Sequence, residues 1–281
     1  PLESPNPSFE ALNASVNSLF VIVPLIVLGL SLLATFGVEK KYSRYTSRSA
    51  LVNREDKITL GTALKILTAS RQTGIFFTFM LVMTTSLFLQ EAVLEPYGAQ
   101  VFDLSVGQSS RLNSFWGIGM LLSLSATGFF LIPRLGKRRT TGLGCLACAV
   151  CFILLILAGF SRNVNLFQAS LVLFGLSAGI GTTGALSLML DLTAAETAGT
   201  FVGAWGLAQA IARGSAVVIG GGILDIGKAL FTEPVLSYGL VFATQAVGMV
   251  AAIWFLGRVN VKEFRDNAKD AIATIMEGDL D

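Results

Sequence analysis

The sequence predicts an all-α membrane protein of about seven transmembrane helices, and three observations predict it. Of the 281 residues, 53% are hydrophobic and only 14% charged, and a mean hydropathy of +0.70 lies far from the balance of a water-soluble domain. A hydrocarbon core of ~30 Å needs about 20 apolar residues per helix. Seven such runs are present, at residues 17–38, 72–92, 113–133, 140–160, 166–190, 200–224 and 236–257. The third observation is that lysine and arginine fall on alternate connections between these runs.

Lys40, Lys41, Arg44, Arg48, Arg54, Lys57, Lys65 and Arg71 lie between the first two runs, and Arg134, Lys137, Arg138 and Arg139 join the third to the fourth. Arg258, Lys262, Arg265 and Lys269 follow the last run, while the other side holds Arg111, Arg162 and Lys228. Cytoplasmic loops keep the positive charge, so the N-terminus is expected outside and the C-terminus inside. The net charge of +2 is then a matter of topology, with no expectation of nucleic acid as a partner; the lipid bilayer is the partner it implies. The chain divides into an external loop with one transmembrane helix (1–38), a cytoplasmic linker with an amphipathic helix (39–71), a six-helix transmembrane bundle (72–257) and a cytoplasmic tail (258–281).

Residues 1–18 hold no basic residue and make no signal peptide. A chain that opens in an external loop, with Pro1 where an initiator methionine would stand, reads as the latter part of a longer protein. Pro24 predicts a kink in the first span. In the linker, Asp56 can cap a helix whose Leu60, Leu64 and Leu67 share one face, a surface helix with its cations toward headgroups.

The second span runs into Phe88-Leu-Gln-Glu-Ala-Val-Leu-Glu-Pro-Tyr-Gly98, where the rest of the chain is organised. A carboxylate at the centre of a bilayer costs roughly 2.5–3.5 kcal/mol on insertion scales. Glu91 therefore has to sit at an interface, line a cavity or meet a partner. Pro96 and Gly98 are expected to end the span, leaving Tyr97 as an interfacial aromatic and residues 99–112 as an outer loop. The third span carries Trp116 followed by Gly117 and Gly119 and stops at the basic turn Pro133-Arg-Leu-Gly-Lys-Arg-Arg139.

Cys145, Cys148 and Cys151 repeat every third residue in the fourth span. With no His and no fourth Cys, they read as small apolar residues on one helix face, and no protein-bound metal site is expected. Gly179-Ile-Gly-Thr-Thr-Gly184 matches a dinucleotide fingerprint in form, but follows no strand; Gly175 and Gly179 instead give a small surface for close helix approach. Thr193-Ala-Ala-Glu196 reads as a capping box, whereas Asp191 before it has no such role. Span six carries Gln209 and, one turn on, Arg213, which needs a partner at its depth; Glu91 stands at the matching depth. Gly220-Gly-Gly222 leads out of the span, the last span supplies Gln245 and Trp254, and the tail forms a second surface helix through Phe264, Ala268, Ile272 and Ile275.

Three segments carry a resemblance to a known family. They are Glu91-Ala-Val-Leu-Glu-Pro-Tyr-Gly98 with Val101-Phe102, then Asn113-Ser-Phe-Trp-Gly117, then Asp191-Leu-Thr193 through Gly203-Ala-Trp-Gly206 to Ala208-Gln-Ala-Ile-Ala-Arg-Gly214. With these the chain resembles the PucC-type branch of the major facilitator superfamily, the bacteriochlorophyll delivery proteins of phototrophs. The resemblance implies a major-facilitator-like C-terminal six-helix bundle plus one preceding helix, with the N-terminal half of the same protein as a partner. It also makes the basic turn, with Arg134, Lys137 and Arg138, the counterpart of a gating turn, although Pro133 stands where that superfamily has an acidic residue.

The role implied is assembly of chlorophyll-containing complexes, with chlorophyll or bacteriochlorophyll as cofactor and a photosystem or antenna complex as partner, in a thylakoid or photosynthetic intracytoplasmic membrane. Magnesium in a chlorin accepts a hard oxygen donor, so a carboxylate or an amide can serve where His is lacking. The candidate pigment or substrate residues are Gln90, Glu91, Glu95, Gln209 and Arg213. An ion pair that only locks two helices is the competing reading of Glu91 and Arg213. A secondary transporter of a small solute or proton, and a structural docking subunit, are the alternatives to pigment handling. An enzyme is not expected, since no nucleophile and base are paired.

Overall fold

The computed structural model describes residues 9–36, 71–191 and 198–260. The chain divides into two units, Pro1–Lys57 and Ile58–Asp281. In the first, α1 (Phe9–Thr35) contains Pro24 and an apolar stretch, Phe20–Leu33. The second holds α2 (Arg71–Phe88), α3 (Leu94–Phe102), α4 (Val106–Ala126), α5 (Ile132–Leu135), α6 (Lys137–Ser161), α7 (Val164–Asp191), α8 (Ala198–Leu230) and α9 (Pro234–Arg258). Among the described residues, six stretches are long and apolar enough to cross a membrane, namely Gly74–Ala92, Val106–Leu135, Lys137–Ser161, Val164–Leu190, Trp205–Leu230 and Pro234–Arg258. With the shorter run in α1 they make up the expected all-α membrane protein. The surface helices expected before residue 71 and after residue 260, and the capping box at Thr193 and Glu196, lie outside the described residues.

Lipid tails are as apolar as the helices, so helix association here depends on close backbone approach at small residues. α7 lies between α4 and α6 in this way. A Cβ at Gly175 would collide with the Trp116 carbonyl, and one at Gly179 with the Ser123 hydroxyl, both on α4. On its other side α7 meets α6 through Gly181 against Gly144 and Gly184 against Thr141. Gly179 to Gly184 is thus interior helix, and its glycines are packing surfaces. The three cysteines are buried on α6, where Cys151 Sγ lies 3.7 Å from Ser177 Oγ of α7. α9 packs against α2, α6 and α8, and Phe76, Phe79, Phe152, Phe167, Phe174 and Phe242 fill the space between them.

Three expected boundaries are corrected. The chain does not leave the bundle at Pro96: α3 begins two residues before it, and a proline in a first helical turn removes no intrahelical hydrogen bond. Tyr97 is accordingly fully buried, its hydroxyl donating to the Leu155 carbonyl at 2.8 Å, with Gly159 leaving the room it needs. The outer loop expected over 99–112 shrinks to residues 103–105. Asp103 closes α3 in the left-handed region (φ 55°), and Ser105 and Gln108 form a capping box that opens α4. Finally, α8 runs through Gly220-Gly-Gly222 to Leu230, because Gly220 and Gly227 are contact points against the Leu89 and Ser237 carbonyls and not breakers.

Before Pro133 the end of α4 widens into a π turn, Thr127–Leu131, in which the Ile132 N–H bonds to the Thr127 carbonyl. α5 follows with Pro133 near its start, and Gly136 (φ 78°, ψ 154°) turns the chain into α6 in a conformation essentially reserved for glycine.

Candidate functional site

A continuous helix through Ala92 would drive the Pro96 ring into the Ala92 carbonyl. The chain answers by stopping α2 at Phe88, tightening into a 3-10 turn over Leu89–Ala92, and restarting as α3. The Val93 N–H closes the turn on the Gln90 carbonyl at 3.0 Å. Glu91 sits in this break, and successive residues of such a turn point in different directions. Gln90 is buried, whereas the Glu91 side chain is 38% exposed.

Outside the core, Arg213 of α8 brings Nη2 to 3.3 Å from Glu91 Oε1, its own side chain 53% exposed. The guanidinium also lies over the Phe88 ring, with Cζ 3.9 Å from the ring centroid. Phe88 in turn meets Trp116 of α4 edge to face, centroids 6.5 Å apart at 76°. Trp116 lies over Phe174, and its buried indole N–H has no hydrogen-bond partner among the described residues. α4 and α8 thus reach the top of α2 from two sides, and the break carries an ion pair standing on an aromatic floor. Along the same two helices Ile118, Leu121 and Leu122 of α4, and Ile211 and Val218 of α8, are exposed.

The expected site residues do not all converge. Glu91 and Arg213 meet. Gln90 turns inward, where its Oε1 accepts a hydrogen bond from Gln245 Nε2 at 2.7 Å. Glu95, on α3, accepts from Asn113 Nδ2 at 3.0 Å, tying α3 to α4 instead of joining the pair. Gln209 is half-buried on α8, one turn before Arg213. At the basic turn Arg138 donates to the Gly257 carbonyl at the end of α9, where a cation meets the negative end of a helix dipole. Arg134 is exposed and Lys137 half-buried. Arg258 stacks on Trp254 at 3.4 Å, and the Asn260 N–H bonds to Gln72 Oε1 at 3.0 Å, so this end of the bundle is tied at several points.

Phe88, Trp116 and Asn113 were not readable as site residues. Their roles depend on which way each side chain turns about its helix. Among the described residues no group of three or more His, Cys, Asp or Glu gathers for a metal ion. A cavity between Met83, Leu87, Cys145, Cys148 and Met249 holds about 10 Å³, room for no more than a water.

The model of the family described as "PUCC protein" matches residues 11–264. Among curated proteins, the chain is 29% identical over 246 residues to the bacteriochlorophyll synthase 44.5 kDa chain of Rhodobacter capsulatus, covering 85% of this chain and 56% of that one. It is 30% identical over 174 residues to an uncharacterized protein in the puhA-bchM intergenic region of Rhodobacter capsulatus, covering 59% and 36% of the two chains. Against Protein PucC of Rhodobacter capsulatus the identity is 29% over 173 residues, covering 59% and 37%. The chain thus spans about half or less of the length of these relatives. No solved structure matches.

Proposed function

Since the chain belongs to the PUCC protein family, we propose that it is a membrane-embedded assembly factor that binds or delivers chlorophyll or bacteriochlorophyll to a light-harvesting or photosystem complex. The observation that carries this reading is the half-exposed Glu91–Arg213 pair on the aromatic floor of Phe88 and Trp116, at a helix break flanked by exposed apolar surface. The names of the relatives, one a bacteriochlorophyll synthase chain, support a tetrapyrrole as the ligand class. We read the protein as non-enzymatic: the site offers a neutralised carboxylate, and the chain has no His to act as a base beside it.

The residues at the break fit a flat apolar macrocycle with polar edges. Bound there, a magnesium tetrapyrrole would supply a hard cation that takes oxygen donors. Glu91 would hold it through its second carboxylate oxygen, Arg213 would offer its remaining N–H groups to the ligand's oxygens, and Phe88 would support the guanidinium. In this reading the N-terminal half of the protein and a chlorophyll-binding complex are partners on the exposed face, and the membrane is a photosynthetic one, with the basic turn at Arg134 to Arg139 on its cytoplasmic side.

The test is the absorption spectrum of the purified protein, compared with Glu91→Gln and Arg213→Gln. Loss of a charge-assisted hydrogen bond of about 1.5–3 kcal/mol corresponds to roughly tenfold or more in affinity, so pigment per protein should fall steeply in both. A colourless wild-type preparation that exchanges a labelled solute would replace this reading with the transporter.

A further inference from the structure

The geometry points to Gln245 as the residue that positions Glu91. A 3-10 turn has poorer hydrogen-bond geometry than the α-helix it interrupts, so contacts from elsewhere must decide where the Glu91 carboxylate stands. Gln245, in the middle of α9 and fully buried, supplies them. Its Nε2 donates to the Ser86 carbonyl at 2.9 Å and to Gln90 Oε1 at 2.7 Å. Ser86 lies in the last turn of α2, where carbonyls lose their helical partners, and Gln90 lies in the 3-10 turn. One amide therefore staples the two sides of the break.

The direction of the amide is chemically fixed. A backbone carbonyl can only accept, so Ser86 requires the NH₂ of Gln245 on its side, and that same NH₂ then requires the oxygen of Gln90. With Gln90 pinned inward, its neighbour Glu91 is left to point outward at Arg213. Gly248, one turn further along α9, has no room for a Cβ beside the Ser86 hydroxyl, so α9 approaches closely enough for the staple to reach. Gln245 Oε1 is buried and has no hydrogen-bond partner among the described residues. An apolar side chain of the same length would remove that one unpaired acceptor but strand two others, the Ser86 carbonyl and Gln90 Oε1, so the amide is what holds the two sides of the break.

This assignment rests on Glu91 being the carboxylate of the site, but its test reads side-chain position and not pigment, so either can fail alone. The experiment uses the full chain in lipid with Cys145, Cys148 and Cys151 replaced by Ala, and cysteines introduced as Glu91→Cys and Arg213→Cys. Oxidative cross-linking of that pair is measured with Gln245 intact and as Gln245→Met, Gln245→Leu and Gln245→Glu. Met and Leu fill the space without a donor, so the melting temperature should fall modestly as two buried acceptors lose their partner, while cross-linking in the folded protein falls several-fold. Glu, protonated in this dry position, restores a single donor and should recover part of the yield. Undiminished cross-linking in folded Gln245→Met or Gln245→Leu protein overturns the assignment. If those two do not fold, the Glu variant decides it: unchanged yield overturns the assignment and a partial loss supports it.

Discussion

Arg213 rests its guanidinium on the ring of Phe88, 3.9 Å from the centroid, while Nη2 reaches Glu91 at 3.3 Å. The arginine is thus held by two residues three apart across the end of α2 and the 3-10 turn, a π face and a charge. Neither contact is enclosed within the bundle, as exposures of 53% and 38% for the two charged side chains show. Their coupling is accordingly smaller than that of a dry pair.

A double-mutant cycle of Glu91→Gln and Arg213→Gln, read as thermal stability in lipid, should give a favourable coupling of about 1 kcal/mol for such a half-exposed pair. Additive losses would show that the two charges do not pair.

Phe88→Leu keeps the apolar volume near the break but removes the π face. A cation–π contact contributes about 0.5–1 kcal/mol at exposed sites, so this change should lower the Glu91–Arg213 coupling, and Phe88→Trp should retain it. Equal coupling in both variants would remove Phe88 from the site.

Gly220 and Gly214 make a matched pair of tests on α8. A Cβ at Gly220 would collide with the Leu89 carbonyl in the 3-10 turn, whereas nothing lies within 4 Å of one at Gly214. Gly220→Ala should destabilise by about 1–3 kcal/mol through overpacking and should displace the break. Gly214→Ala should be neutral or stabilise by roughly 0.5–1 kcal/mol, as Ala does for Gly within a helix. Equal melting temperatures in the two variants would contradict the packing described.

Replacing Cys145, Cys148 and Cys151 together by Ala should change stability only by packing losses, typically about 1 kcal/mol per buried site. Metal analysis of the purified protein before and after is the check, and a metal lost with the thiols would contradict the reading of these residues as packing.

Arg138→Cys, placed in the chain that lacks the three native cysteines, should react with a membrane-impermeant maleimide only from the cytoplasmic side of oriented vesicles. The charge asymmetry between Lys40 to Arg71 and Arg111, Arg162 and Lys228 is the ground for this expectation. Labelling from the opposite side alone would invert the topology.

The spans were legible because a bilayer imposes length and apolarity, and Glu91 with Arg213 because each is costly alone in hydrocarbon. Helix ends were less legible where one residue type carries two physical meanings. Pro96 reads as a stop, yet three residues into a helix it removes no bond; Gly220-Gly-Gly222 reads as an exit, yet inside a membrane bundle glycine marks contact. Ser105 and Gln108 did carry a readable capping signal for the start of α4. What no sequence pattern distinguishes is azimuth. Gln90 and Glu91 are adjacent and both polar, and only the folded position of Gln245 decides that one turns in and the other out.

The π turn at Thr127–Leu131 bears on how the chain tolerates changes in its length. A wide turn takes up one residue more than an α-helical turn, so the helix beyond it is in phase with a chain one residue shorter. Deleting a single residue there, Gly128 for instance, should close the turn to ordinary α-helix and leave Arg134 emerging on the same side of the bundle. A one-residue deletion within α7, gripped on both flanks by its glycines, would instead rotate every contact beyond it by about 100°. The chain thus carries, beside its basic turn, a place where length can vary by one without a change of register.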